Sequence, residues 1–420
     1  MTPSQQIKLV LTLLAAAVIV IWFRTTFQSL QALPSNQFWP VQSIDTMKYS
    51  RDLARQALND PSFDQVIDQQ MSQIASTGAN YVGIGTPYDQ EFVPILKRWV
   101  LSARKYHLNV WFRGNFSGWE GWFGYLKITR ADHLALTRSF IIKNKDLFEN
   151  GDIFTSCPEC ENGGPRDPRQ TGDVSGFRQF MISELKTTLD AFSLIHKRVT
   201  SNYFSMNMDV ALLVMDKDTT KALGGVITVD HYVSTPEKLV SDISDLAQNS
   251  QARIVLGEFG APIPDLNGNL DDAGQAAFIQ RVMAGLIKVK QLIGINYWVN
   301  VGGTTQLWTT DGLKRPVVDV LANYYKPHVI SGYVKDELGI PIKNVQITDG
   351  ISNTSSNQFG SFALFHPGSD SGVTIEFKAS GYNDQNLNVS DSQSMDVTLI
   401  KNHGNIFYSS AKLFINLFHH

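Results

Sequence analysis

The sequence is poor in cysteine, with only Cys157 and Cys160, set in the stretch Cys157-Pro158-Glu159-Cys160. A single pair with no partner pair argues against a structural zinc site. A thioredoxin-like redox pair would open a helix early in a small βαβ domain, and these surroundings differ. A tight local disulfide formed in an oxidising compartment is favoured over free thiols and over redox catalysis. Charge of one sign is also lacking: 36 Lys and Arg face 39 Asp and Glu, for a formal net charge of -3. That balance argues against a nucleic-acid partner, which would call for a basic face. No run of five like charges forms a charged tail. No GxGxxG or GxxxxGK[ST] follows the first apolar strand, so nucleotide binding has little support. No metal-ligand spacing stands out, and neither a metal nor a cofactor is expected. Internal repeats and low-complexity tracts are missing as well.

Long apolar runs are equally scarce, with one exception. After Lys8, residues 9–23 (LVLTLLAAAVIVIWF) are apolar or small up to Arg24. A membrane span takes about 20 such residues, about 17 at the lower limit. The bulky Ile21-Trp22-Phe23-Arg24 offers no small-x-small cleavage site, so an uncleaved signal anchor over residues 1–30 is expected, with a cleaved signal peptide as the alternative. Either reading puts the remainder outside the cytoplasm: anchored to the membrane in the first case, secreted in the second.

What is present is a rhythm. Short apolar runs at 41–47, 80–85, 108–113, 152–156, 199–206, 226–231, 253–258 and 294–299 read as eight strands. Between them lie helical patterns at 63–75, 92–105, 131–148, 177–195, 236–248, 273–292 and 316–325, with a short one near 216–223. Val66, Ile67, Met71 and Ile74 illustrate the spacing of a one-faced helix. Eight βα units over residues 35–326 predict a (β/α)8 TIM barrel of the α/β class, with a doubly wound open sheet as the competing arrangement. Past Lys326-Pro327, alternating runs separated by turn formers predict an antiparallel β-sandwich over 328–401. Residues 402–420 read as an amphipathic tail that packs on the body or touches a membrane.

Barrel active sites lie at the C-terminal ends of the strands, so polar residues there come first. Strand seven ends Gly257-Glu258-Phe259-Gly260, a carboxylate between glycines that let a ligand approach closely. The loop after strand four carries Glu159 and Glu161. Cleavage of a glycosidic bond needs one carboxyl group to protonate the leaving oxygen and a second to attack or stabilise the sugar carbon. Glutamates after strands four and seven would face each other across the mouth.

With these residues in place, the barrel region resembles the clan A glycoside hydrolases, retaining (β/α)8 enzymes whose acid/base glutamate ends strand four and whose nucleophile ends strand seven. The resemblance implies Glu258 as nucleophile and Glu159, in preference to Glu161, as acid/base. Pro158 before Glu159 and Cys160 after it depart from the clan's usual Asn before and Pro after. Asp230-His231-Tyr232 resembles the clan's strand-six neighbourhood, where a tyrosine hydroxyl hydrogen-bonds the nucleophile. Trp298, in Asn296-Tyr297-Trp298, matches its stacking platform for the sugar. Trp111 and Arg113, with Trp119 and Trp122 beyond, suit a carbohydrate groove. Arg113 stands in for an arginine the clan usually carries on strand two. Tyr88 and Asp89 are candidate hydrogen-bonding partners for sugar hydroxyls, and Asn207 and Asp209 candidates at the mouth. The 329–401 stretch is similar to the carboxypeptidase-regulatory-like sandwich family through Ile330-Ser331-Gly332-Tyr333-Val334 and Ala379-Ser380-Gly381-Tyr382. Such modules serve as spacers or adhesive domains. The expected function is a retaining glycoside hydrolase or transglycosylase acting on an oligo- or polysaccharide, with a non-catalytic carbohydrate-binding or scaffold protein as the alternative.

Overall fold

In the computed structural model the described residues are 37–164, 167–367, 372–389 and 394–402. The expected anchor at 1–30 and nearly all of the 402–420 tail lie outside them. The chain divides into two units, Met1–Gln37 and Phe38–His420, and both the barrel and the sandwich belong to the second. No helix among the described residues is long and apolar enough to cross a membrane.

Eight strands run parallel in one sheet: β1 (Val41–Asp45), β2 (Tyr81–Ile84), β3 (Asn109–Phe112), β4 (Ile153–Phe154), β5 (Ser205–Asn207), β6 (Val226–Asp230), β7 (Arg253–Phe259) and β8 (Leu292–Tyr297). Their order is β4-β3-β2-β1-β8-β7-β6-β5. The ring closes just before β5. There Ile153 bridges Thr200 in parallel, the Phe154 N–H donates to Thr200 O at 2.8 Å, and the Thr200 N–H donates to Asp152 O at 2.9 Å. This closure excludes the open doubly wound sheet and makes the architecture a (β/α)8 barrel. The predicted fifth strand is thus split between two partners, with residue 200 on β4 and Ser205–Asn207 on β6.

The helices lie outside, each with one buried stripe. In Phe63–Ser76 the buried residues are Ile67, Gln70, Met71 and Ile74, the three-and-four spacing of a single face. Pro236–Ser250 starts where Thr235 accepts a hydrogen bond from the Lys238 N–H, with proline in the first turn, whose missing N–H costs nothing there. The helix predicted over 131–148 stops at Lys143 and gives way to a tighter turn, Lys145–Leu147. The one predicted over 273–292 ends at Leu286.

Alternation along the strands sorts the barrel into two environments. Ile44, Phe112, Val229, Leu256 and Tyr297 point outward into the helix layer. Inside, Val41, Trp111, Ile153, Tyr203, Val226 and Val255 form an apolar floor. Above that floor the interior turns polar, with Asp45, Arg113, Asp230, Glu258 and Asn296 all buried.

Beyond Lys326 the chain forms a two-sheet sandwich. One sheet holds β12 (Ser361–His366), β9 (His328–Asp336) and β15 (Ser394–Leu399). The other holds β11 (Asn353–Ser355), β10 (Gln346–Thr348), β13 (Val373–Lys378) and β14 (Gln385–Val389). The expectation of a wholly antiparallel sandwich is corrected at one place: β15 runs parallel to β9. Its core is Ile330, Val334, Val345, Ile347, Phe362, Leu364, Ile375, Phe377, Val397 and Leu399. Phe38 and Phe365 meet edge-on at 6.5 Å where the sandwich touches the barrel.

Candidate active site

Glu258 should point outward, since Val255 faces in and Leu256 faces out. The register between β6 and β7 shifts between Val229 and Asp230, so that Asp230 pairs with Glu258 rather than Gly257. This bulge adds one residue to β7 and turns Glu258 into the barrel mouth. Gly257 makes it possible: a Cβ there would come within 2.4 Å of Asp230 Oδ1 and 3.2 Å of Ser205 Cβ.

The Glu258 carboxylate is held from two sides. Arg113 Nη2 donates to Oε1 at 2.6 Å, and the Tyr232 hydroxyl donates to Oε2 at 3.1 Å. Arg113 is fully buried and also meets Asp45 Oδ2 through Nε at 2.9 Å and Asp230 Oδ2 at 3.6 Å. Burial works against the Arg113 charge, but Asp230, Asp45 and Glu258 together hold its pKa above the ordinary arginine value. Asn296 Nδ2 fixes Asp45 Oδ2 at 2.8 Å and Gly257 O at 2.8 Å. Burial pushes Glu258 up to about 8, with Arg113 pulling it down, Glu159 and Asp45 pushing it further up, and Tyr232 pulling it down. Asp230, buried beside Glu258, is raised well above the carboxylate range.

Glu159 sits on the loop after β4, half-buried, with a left-handed backbone at φ 44° and ψ 49°. Its N–H donates to Ser205 O at 2.9 Å, and Asn162 Nδ2 donates to its Oε1 at 3.2 Å. Its charge acts on Glu258, Tyr232, Asp230 and Arg51. Glu161 is set differently. It is 2% exposed, its Oε1 accepts the Asn207 N–H at 2.7 Å, and burial lifts it to about 7. Cys157 and Cys160 are joined in a disulfide that brackets Glu159.

The other expected residues divide. Tyr232 reaches Glu258, and Trp298 is half-buried at the end of β8 with its N–H on Phe259 O at 2.9 Å. His231 pairs with Asp242 at 2.8 Å. It lines a cavity of about 680 Å³ with Tyr232, Asn207, Asp209 and Asp230. Three assignments are corrected, at Trp111, Tyr88 and Trp119. Trp111 is fully buried in the barrel floor, edge-on to Tyr203 at 5.7 Å, and its Nε1 donates to Thr155 Oγ1, so it lines no groove. Tyr88 is 1% exposed, stacked on Phe154 at 5.0 Å, with its hydroxyl donating to Thr155 O at 2.8 Å. Asp89 caps the Ser117 N–H at 2.7 Å, and Trp119 is core, stacked on Phe180 at 5.4 Å. Trp122 does reach the surface, beside a cavity of about 290 Å³ shared with Arg51, Asp52 and Phe123.

Sequence reasoning missed Asp45, Asp230 as an Arg113 partner, Asn296 and Arg51. Arg51 lies over the Trp122 ring at 3.3 Å and pairs with Glu120. Burial lowers its pKa to about 10 against the pull of Glu159 and Glu258. Asp45 and Asn296 carried a signal, being polar residues in apolar strands, which buried strands exclude unless something pairs with them.

No family model matches the chain. A maltose/maltodextrin import ATP-binding protein, MalK, of Vibrio parahaemolyticus is 23% identical over 205 residues, 47% of this chain and 50% of that protein. The chain thus spans about half the length of the curated relative it matches, and Gly-Lys, the end of a phosphate-binding loop, occurs nowhere in the sequence. Among solved structures, beta-glucuronidase 2 of Bacteroides uniformis superposes with a TM-score of 0.44 at 10% identity, over 80% of this chain and 44% of that one. A beta-D-glucuronidase of Dictyoglomus thermophilum gives 0.43 at 18% identity, over 62% and 47%. A GH5_18 variant of Streptomyces cattleya in complex with Manb1-4GlcNAc gives 0.49 at 14% identity, over 71% and 85%.

Proposed function

We propose that the protein is a retaining glycoside hydrolase or transglycosylase that cleaves an O-glycosidic bond of an oligo- or polysaccharide. The observation carrying this reading is the Glu258 carboxylate gripped by Arg113 at 2.6 Å and Tyr232 at 3.1 Å. Two donors on one carboxylate work against the burial that raises its pKa and fix the direction of its oxygens, as a nucleophile requires. Glu258 attacks the anomeric carbon while the Glu159 carboxyl gives its proton to the departing oxygen. Glu159 then takes a proton from water or an acceptor hydroxyl, whose oxygen displaces Glu258. Glu159 suits this exchange better than Glu161, because Glu159 is half-exposed whereas Glu161 is sealed and engaged by the Asn207 N–H. Trp298, Tyr232 and Trp122 offer rings to the apolar faces of sugars. The segment at 1–30 serves as the tether that holds the enzyme at the outer face of the membrane, and a closed disulfide accords with export.

The test is a panel of aryl glycosides in both anomeric forms. Turnover with an initial burst is expected. The first-formed sugar should keep its configuration when followed by proton NMR. Glu258→Gln should lower kcat/KM by about 10³-fold or more. Full activity in that variant, or inversion at the anomeric carbon, would overturn the assignment.

A further inference from the structure

The two carboxyl groups of the proposed reaction are tied to one loop. Arg113 holds Glu258 directly. Two residues on, Asn115 is buried and its Nδ2 lies 3.5 Å from Cys157 Sγ. Asn115 Oδ1 accepts the Phe116 N–H at 2.9 Å and meets His133 Nε2 at 2.7 Å. That oxygen can only accept, so His133 Nε2 carries hydrogen. The opposite ring nitrogen lies 2.7 Å from Glu184 Oε1. His133 and Glu184 are fully buried, and the imidazole is boxed by Phe116, Trp119 and Phe180 at 5.2, 4.8 and 5.6 Å. A buried polar chain of this kind is costly unless its members pair and it fixes something in place. What stands at its end is the disulfide.

That disulfide spans only Pro158 and Glu159. Proline fixes its own φ, and Glu159 is held in the left-handed region, which a residue with a Cβ rarely adopts unaided. Its N–H is anchored on Ser205 O. With both flanking sulfurs joined, the backbone at Glu159 is constrained on either side.

We propose that the Cys157–Cys160 disulfide, braced by Asn115 and the His133–Glu184 pair, positions the Glu159 carboxyl, so that proton delivery to the leaving group depends on the closed disulfide. This rests on the reading of Glu159 as acid/base. The cysteines are positioning residues, and the readout is leaving-group dependence. Dinitrophenolate departs without a proton, whereas phenolate departs more readily with one.

The full chain, its double variant Cys157→Ser/Cys160→Ser, and the wild-type protein reduced with dithiothreitol are compared on matched dinitrophenyl and phenyl glycosides. Thiol titration verifies reduction, and circular dichroism verifies folding. Opening the disulfide should lower kcat/KM for the phenyl glycoside by about 10²-fold while the dinitrophenyl glycoside changes by less than about threefold. Azide should restore kcat on the dinitrophenyl substrate, because it displaces Glu258 from the sugar without needing a base. Asn115→Ala should move the ratio the same way, more weakly. Equal losses on both substrates, or no loss on either, would overturn the proposal while leaving the glycosidase reading intact. No turnover of any glycoside by the oxidised wild type would overturn both.

Discussion

Arg113 and Glu258, 145 residues apart in sequence, meet at 2.6 Å with the guanidinium wholly buried. The same guanidinium faces Asp45 and Asp230, so one cation serves three buried carboxyl groups. Arg113→Met should therefore destabilise the fold by about 3–5 kcal/mol, since removing one partner leaves buried charges uncompensated. Arg113→Lys should recover only part of this, because an ammonium lacks the planar fork that reaches Asp45 and Glu258 at once. Urea denaturation of the two variants checks both statements.

Activity should fall as pH falls through the Glu258 titration. Burial raises the pKa of that group above its ordinary value, and its protonated form cannot attack. The acidic limb of kcat/KM is expected well above the ordinary glutamate range of about 4.3. Tyr232 lowers the Glu258 pKa through its hydrogen bond, so Tyr232→Phe should move the limb to higher pH and reduce the plateau about tenfold or more. A limb that stays in place in Tyr232→Phe would separate the tyrosine from the titrating group.

Glu161 makes a prediction about stability. Its folded pKa is raised to about 7 from 4.5 by burial, so the folded state keeps a proton that the unfolded state has released. Its contribution is full below the unfolded value and is lost as pH rises through the folded one. Glu161→Gln keeps an acceptor for the Asn207 N–H and removes the titration. The variant should gain roughly 3 kcal/mol on wild type between about pH 4.5 and 8. Thermal unfolding across that range measures the gap, which should close at low pH.

Two tryptophans should behave in opposite ways. Trp111 fills the barrel floor, so Trp111→Ala should cost about 3–5 kcal/mol of stability. Trp298 is half-buried at the mouth. Trp298→Ala should raise KM for oligosaccharides, with a smaller effect on unfolding. Paired denaturation and kinetic measurements distinguish floor from wall.

Much of the architecture was legible before folding, because strand and helix periods are local properties. The eight strands, the glycines around Glu258 and the change of texture at Lys326 are visible in the residues themselves. So is the placement of Tyr232 next to a strand end. Trp111 and Tyr88 were misread because an aromatic ring near a strand end carries no mark of whether it faces solvent or the floor. Asp45, and the roles of Asp230 and Asn296, were missed because each gains its meaning from Arg113 or its partners, which are remote in the chain.

The order of elements and their apolar faces were thus determined by the sequence alone. Which face of each strand looks into the barrel was decided only by the tertiary structure. Both faces of a barrel strand are covered, one by side chains of the opposite strands and one by helices, so alternation does not distinguish them. The bulge at Gly257 reverses that alternation for Glu258, and it exists only where β7 lies between β6 and β8.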